Sequence, residues 1–319
     1  MTWVGWRLQR TETLVAAGIL ALLAALLVPT GLQMAHAFSH DGLAACVNVN
    51  PKLDFGGSGG RCGEALGSFR QRFEGLGSLI AWFTLLPGLI GVLLAAPFVL
   101  ELENGTYRLA WTQSITRRRW IATKLGVALA SAVVAAAVLI VLVTWWRAPL
   151  VRLDGRMENS VFDGEGTVVF GYTLFAFGLA AFLGAFWRRA VPALLTAFGV
   201  YFVVRLLFDV SLRNRLVSPL HTTWLAGKAG PRALNNALVL TSYPSDKAGR
   251  RIDPVLQCAG NLKGRIDPSC LDRAGIYMHA VYQPASRFWL MQGIETALFG
   301  GVALALLAAA AWWTHERAA

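Results

Sequence analysis

Six runs of about twenty apolar residues each punctuate this chain. They lie at about Thr13–Gln33, Ser78–Leu100, Trp120–Trp146, Val168–Trp187, Ala190–Phe208 and Phe288–Trp313. Each is long enough to cross a bilayer as a helix. Composition agrees: 55% of the 319 residues are hydrophobic and 15% are charged, against about 25% charged in soluble domains. The expected fold class is an all-α polytopic membrane protein with six transmembrane helices and both termini cytoplasmic. A small disulfide-clipped extracellular subdomain is expected between helices five and six.

The layout follows. Residues 1–35 hold an interfacial segment and the first span, 36–77 an outer loop, and 78–100 the second span. Residues 101–120 form an inner segment and 121–146 the third span. Residues 147–167 form an outer loop, 168–187 and 190–209 the fourth and fifth spans, 210–287 the outer subdomain, 288–313 the sixth span and 314–319 an inner tail. The first run exceeds a signal peptide's apolar core, which favours a retained helix although Ala35-His36-Ala37 resembles a cleavage site. Trp3, Trp6 and Arg10 before it suggest an amphipathic lead-in at the interface; a loose tail is the plainer reading.

Charge orients the chain. The net charge is +11. No nucleic-acid-binding motif accompanies it, so anionic lipid and the positive-inside bias are its expected partners. Arg108, Arg117, Arg118, Arg119 and Lys124 cluster between spans two and three, and Arg188 and Arg189 between spans four and five. Both places belong inside. The four cysteines, Cys46, Cys62, Cys258 and Cys270, then fall outside, where disulfides persist. Local pairs Cys46–Cys62 and Cys258–Cys270 are expected; free thiols or a bridge between the loops are the alternatives.

Several motifs carry little. Gly56-Gly57-Ser58-Gly59-Gly60 matches GxSxG inside a glycine run with neither strand nor helix signal. His36 and His40 stand four apart beside Asp41, read as a solvated helix end before a metal site. There is no Walker A loop, no dinucleotide fingerprint, no HExxH and no Ser/His/Asp set. The chain is therefore not expected to be an enzyme by itself, and no cofactor or metal is assigned to it.

Within the greasy frame, ELENGTYRLAWTQSITRRRW, residues 101–120, stands out for its charge. Glu101 and Glu103 close the second span, Gly105 turns the chain, and Thr106 can cap a short helix carrying Tyr107, Arg108 and Trp111. Arg117–Arg119 anchor the next helix. The result is an amphipathic hairpin, either a membrane-surface anchor or a docking element for a partner.

Inside the spans, Arg205 and Asp209 lie near the outer end of span five, and Glu295 lies about two turns into span six. At 1.5 Å per residue, Arg205 and Glu295 sit at similar depth. An Arg205–Glu295 pair with Asp209 nearby is expected, as a clamp between helices before a proton relay or substrate contact. Pro87, Gly88 and Gly91 can bend span two, and Pro97 sits near its inner end. Trp82, Phe83, Phe198, Tyr201 and Phe202 either line an apolar cavity where spans two and five meet or face lipid.

The acidic pair, Gly-Thr, Arg, short apolar helix, basic run and Lys124 together resemble the type-2 permease of ATP-binding-cassette exporters. ENGTYRLAWTQSITRRRWIATKL is especially similar to drug and antibiotic exporter permeases of high-GC Gram-positive bacteria, and YQPASRFWLMQGIE, residues 282–295, fits the same group. The resemblance implies two permease chains, identical or paralogous, above two ATPase subunits that hold ATP and Mg2+. It implies a coupling helix at about Thr106–Ser114 seated in the ATPase, and export of an amphipathic or hydrophobic compound across a bacterial plasma membrane. A sensor or scaffold that binds an antibiotic or cell-wall intermediate through the outer subdomain is the other reading.

Overall fold

The computed structural model describes residues 2–40, 43, 65, 67–69, 71–73, 83–112, 116–157, 159–226, 228, 230–234, 236–247, 249–252, 270 and 273–317. Its helices are α1 (Thr2–His40), α2 (Leu86–Glu103), α3 (Tyr107–Thr112), α4 (Arg117–Asp154), α5 (Asn159–Phe162), α6 (Val168–Trp187), α7 (Ala190–Leu207) and α8 (Phe288–Arg317). Six stretches are long and apolar enough to cross a membrane, built on α1, α2, α4, α6, α7 and α8. The chain is a multi-pass membrane protein.

The central helix is α6, which packs against α2, α4, α7 and α8. Its sequence is apolar around its whole circumference (VVFGYTLFAFGLAAFLGAFW), and most of it is buried. Such a helix suits an interior surrounded by other helices. Small residues let backbones approach. A Cβ on Gly91 of α2 would stand 2.3 Å from the Thr173 carbonyl oxygen of α6. One on Gly178 of α6 would stand 3.0 Å from the Ala303 carbonyl oxygen of α8. Helix α1 lies against α4 and α2, and Trp146 Nε1 donates to Thr30 Oγ1 at 2.9 Å.

Two expectations are corrected. First, the class is not all-α. Beyond α7 the chain forms β1 (Leu220–Leu225), β2 (Leu238–Ser245) and β3 (Tyr277–Gln283), an antiparallel sheet ordered β1-β3-β2. On one face Trp224, Met278, Ala280 and Tyr282 form a small core with Leu234 and Ile276. Alternating β-branched and aromatic residues in LHTTWL and YMHAVYQ favour this conformation over a helix.

Second, Pro87 does not bend the second span. Helix α2 starts at Leu86, so Pro87 occupies its first turn, where the absent N–H costs nothing. Gly88 and Gly91 serve close packing: a Cβ on Gly88 would meet the Tyr201 ring at 2.2 Å. The stretch expected as a lead-in and the first span share one helix. Helix α1 is continuous from Thr2, because no glycine pair or proline breaks the pattern before Pro29.

Two ends of the bundle can be distinguished. The α2–α3–α4 connection, the α6–α7 turn and the end of α8 meet at the hairpin end. The sheet and the α4–α6 connection lie at the sheet end.

Candidate functional site

At the hairpin end, α2 stops as predicted by its glycine. Asn104 N–H still donates to Leu100 O at 2.9 Å, and Gly105 then turns at φ +68°, a left-handed conformation that side chains resist. Arg108 N–H donates to Gly105 O at 3.1 Å, opening α3. Tyr107 is buried and packs edge-on against Trp111 at 4.7 Å, with Trp120 6.1 Å from each. This aromatic trio fastens α3 to the first turn of α4. Thr116 caps α4, its hydroxyl accepting from Arg119 N–H at 3.4 Å.

The acids at this end are engaged. Glu101 pairs with Lys124 of α4, both largely shielded. Glu103 Oε2 accepts from Ala190 N–H at 3.0 Å, so it caps the start of α7, where a carboxylate is favoured by the helix dipole. The cap is made possible by a two-residue α6–α7 turn in which Arg188 adopts φ 52°. Arg117 stacks on Trp111, 4.6 Å from the ring centroid, and donates to His315 O of α8 at 3.2 Å. Arg108, Arg118 and Arg119 are exposed, as is Thr106. The short helix α3 is thus packed on the start of α4, the end of α2 is tied to α4 and α7 and the start of α4 to α8, while guanidinium groups remain open beside it. Residues 113–115 lie outside the described residues.

At the sheet end, Glu295 of α8 is fully buried. It accepts from Tyr172 OH of α6, from Arg205 Nη1 of α7 at 3.5 Å, and from Arg213 Nε at 3.2 Å and Nη2 at 3.1 Å. Arg205 Nη2 also meets Asp163 at 2.8 Å, and its guanidinium lies 3.8 Å from the Tyr172 ring centroid. Arg213 pairs with Asp163 and Asp209 and sits 4.7 Å over Phe162. Beside it, Gln292 donates to Phe162 O at 2.9 Å and Glu165 O at 3.1 Å, and accepts from Val168 N–H at 2.9 Å. Charges at membrane depth are tolerated when paired in this way.

The structure therefore brings Arg205 and Glu295 together, while Asp209 reaches the cluster through Arg213. Sequence reasoning missed Arg213, Asp163, Tyr172 and Gln292. The reason for Arg213 is local geometry. Phe208–Leu212 is a π-helical turn. Eight α-helical steps of about 100° would leave Arg213 about 80° around from Arg205. Five π residues, each turning about 82°, remove about 90° and return it to the same face. Asp163, in the α5–α6 connection, carried no helical period to read.

The aromatic residues expected to line a cavity do not converge. Phe83 packs edge-on against Trp146 at 5.5 Å, and Tyr201 is buried with its hydroxyl donating to Thr84 O at 2.9 Å. Phe198 lies 6.2 Å from Tyr201, but Phe202 is exposed on another face of α7. An open apolar groove of about 940 Å³ instead runs between α1, α2 and α4, past Leu20, Leu94, Ser131 and Val138. Trp82, Cys46, Cys62, Cys258 and the glycine-rich stretch at 56–60 lie outside the described residues; Cys270 packs beside the sheet core.

The family model described as "ABC-2 membrane transporter related" matches residues 17–213. The chain belongs to this family. The match runs from α1 to Arg213 and so takes in both the hairpin and most of the buried charge cluster. This ABC-2 family member is thus a membrane transporter permease. No match appears among curated proteins or solved structures.

Proposed function

We propose that this ABC-2 permease is the membrane subunit of an ATP-driven exporter of an amphipathic or hydrophobic compound, in a bacterial plasma membrane. Two copies, or one and a paralogue, would pair above two separate ATPase subunits that hold ATP and Mg2+. The hairpin end would face the cytoplasm, which the arginines gathered there favour. The sheet would face outward, clipped by Cys258–Cys270, with Cys46–Cys62 in the first outer loop.

The observation that carries this reading is the wiring of the short helix α3. An ATPase gripping Arg108, Arg118 and Arg119 would move a rigid aromatic knot. The flanking contacts, Glu101–Lys124 and Glu103–Ala190 from the end of α2 and Arg117–His315 from the start of α4, would pass that motion on to α4, α7 and α8. The sheet-end cluster would act as the opposite anchor, holding α6, α7 and α8 together while the hairpin end moves. The apolar groove beside α1 suits a cargo that partitions into lipid.

Mild extraction from native membranes, followed by identification of co-purifying chains and measurement of ATP hydrolysis, tests the reading. A stoichiometric ATPase is expected. Arg118→Glu should release it, and Glu101→Gln should retain it but lose cargo-stimulated hydrolysis. A chain that purifies with a kinase or regulator, or alone, would overturn the proposal.

A further inference from the structure

The sheet has a second face that its own core does not use. Pairing places Thr223 opposite His279 and His221 opposite Val281. His221 and His279 are therefore diagonal neighbours on the face away from Trp224 and Met278, within reach of long side chains. Both rings turn toward each other. His221 Nδ1 and His279 Nε2 are 3.4 Å apart, and the ring centroids 5.6 Å.

That separation is informative. The pair is close enough for a long N–H to nitrogen hydrogen bond when one ring carries the proton. Two imidazole nitrogens bound to one tetrahedral zinc, each at about 2.0–2.1 Å, stand roughly 3.3–3.4 Å apart. The same spacing also suits two neutral imidazoles sharing one ion. Tyr243 keeps His279 in place, its ring 5.0 Å away and tilted by 31°. Arg251 stacks on Tyr243 at 4.7 Å.

We propose that His221 and His279 form a binding site for a divalent transition metal of the zinc and copper class. No third His, Cys, Asp or Glu joins them among the described residues. Water fills the remaining positions, so the ion is exchangeable and open to an outside ligand. Neutral imidazole is the ligating form. The ion would staple β1 to β3 in the sheet. The site is independent of whether the hairpin docks an ATPase.

Equilibrium binding of Zn2+ alone to the purified, tag-free full-length chain at neutral pH tests this. Saturation near one ion per chain is expected, together with a rise in thermal stability. His221→Ala and His279→Ala should each abolish that binding while unfolding normally in the absence of metal. His36→Ala with His40→Ala, which removes the other histidine pair, on α1, should leave it intact. No saturable binding, or binding that survives His221→Ala and His279→Ala, would overturn the proposal. Binding lost only with His36 and His40 would move the site to α1 and overturn it equally.

Discussion

The two ends of the bundle handle charge in opposite ways. At the hairpin end Glu101 and Lys124 keep 16% and 12% of their side-chain surface exposed, and Arg108, Arg118 and Arg119 stand in the open. At the sheet end Arg213 and Glu295 expose 1% and 0%. Surface pairs contribute roughly 0–1 kcal/mol, whereas breaking a buried network leaves an uncompensated charge and costs about 3–5 kcal/mol. The hairpin end leaves three guanidinium groups accessible beside its shielded pair, whereas the sheet end closes its arginines inside an ion network.

The largest effect should come from removing the buried hub. Arg213→Met leaves Arg205 as the remaining cation paired with Asp163 and Glu295 among the described ion pairs and should destabilise the protein by about 3–5 kcal/mol. Thermal unfolding in detergent would read this as a large fall in Tm. A Tm equal to wild type would erase the distinction between the ends. Glu295→Gln sharpens the same question, because normal assembly with lost export would give the cluster a role beyond clamping.

At the hairpin end the expected cost is smaller. Glu103→Ala removes the carboxylate that caps α7 and should cost about 1 kcal/mol. Amide exchange at Ala190 and its neighbours should then quicken about fivefold, at about 1.4 kcal/mol per factor of ten, with the sheet end unchanged. Gly105→Val forces a β-branched residue into the left-handed region and should cost about 1–2 kcal/mol, read in the same unfolding assay.

A pH effect separates the ends further. Burial pushes the Glu165 carboxyl, in the α5–α6 connection, above its usual range, and the neighbouring Arg147 and Arg156 only partly oppose this. A raised carboxyl holds its proton longer in the folded than in the unfolded state. Its contribution to stability is therefore present at low pH and declines as pH rises between the ordinary and the raised value. Glu165→Gln should flatten that stretch of the stability–pH curve; an unchanged slope would assign it to another group. Smallest of all, Arg118→Ala should change stability by no more than about 0.5 kcal/mol, yet weaken ATPase binding measured by co-purification. An unaltered complex would return the hairpin to a membrane anchor.

How much of this was readable in the chain differs between the ends. The hairpin segment announced itself through Gly105, the aromatic stripe and three successive arginines, all local in sequence. Its internal ties were not legible, because Glu103 and Ala190 are far apart in the chain, and nothing local in either says they meet. At the sheet end, counting residues placed Arg205 and Glu295 at one depth. Arg213 was hidden by a π-helical turn that no 3.6-residue period foresees. The sheet was hidden by its setting in a stretch read as a clipped loop, although LHTTWL and YMHAVYQ carried a strand signal.

The sequence by itself determined that this chain crosses a membrane six times and where its charges interrupt the apolar spans. Those properties follow from runs of adjacent residues and the thickness of a bilayer, and both are local. Only the tertiary structure decided which charge answers which, how α6 is enclosed, and which face of the sheet brings two histidines together. These depend on helix rotation, backbone approach at Gly91 and Gly178, and strand register. Each of these is set by the packing of segments distant in sequence, not by any one segment alone.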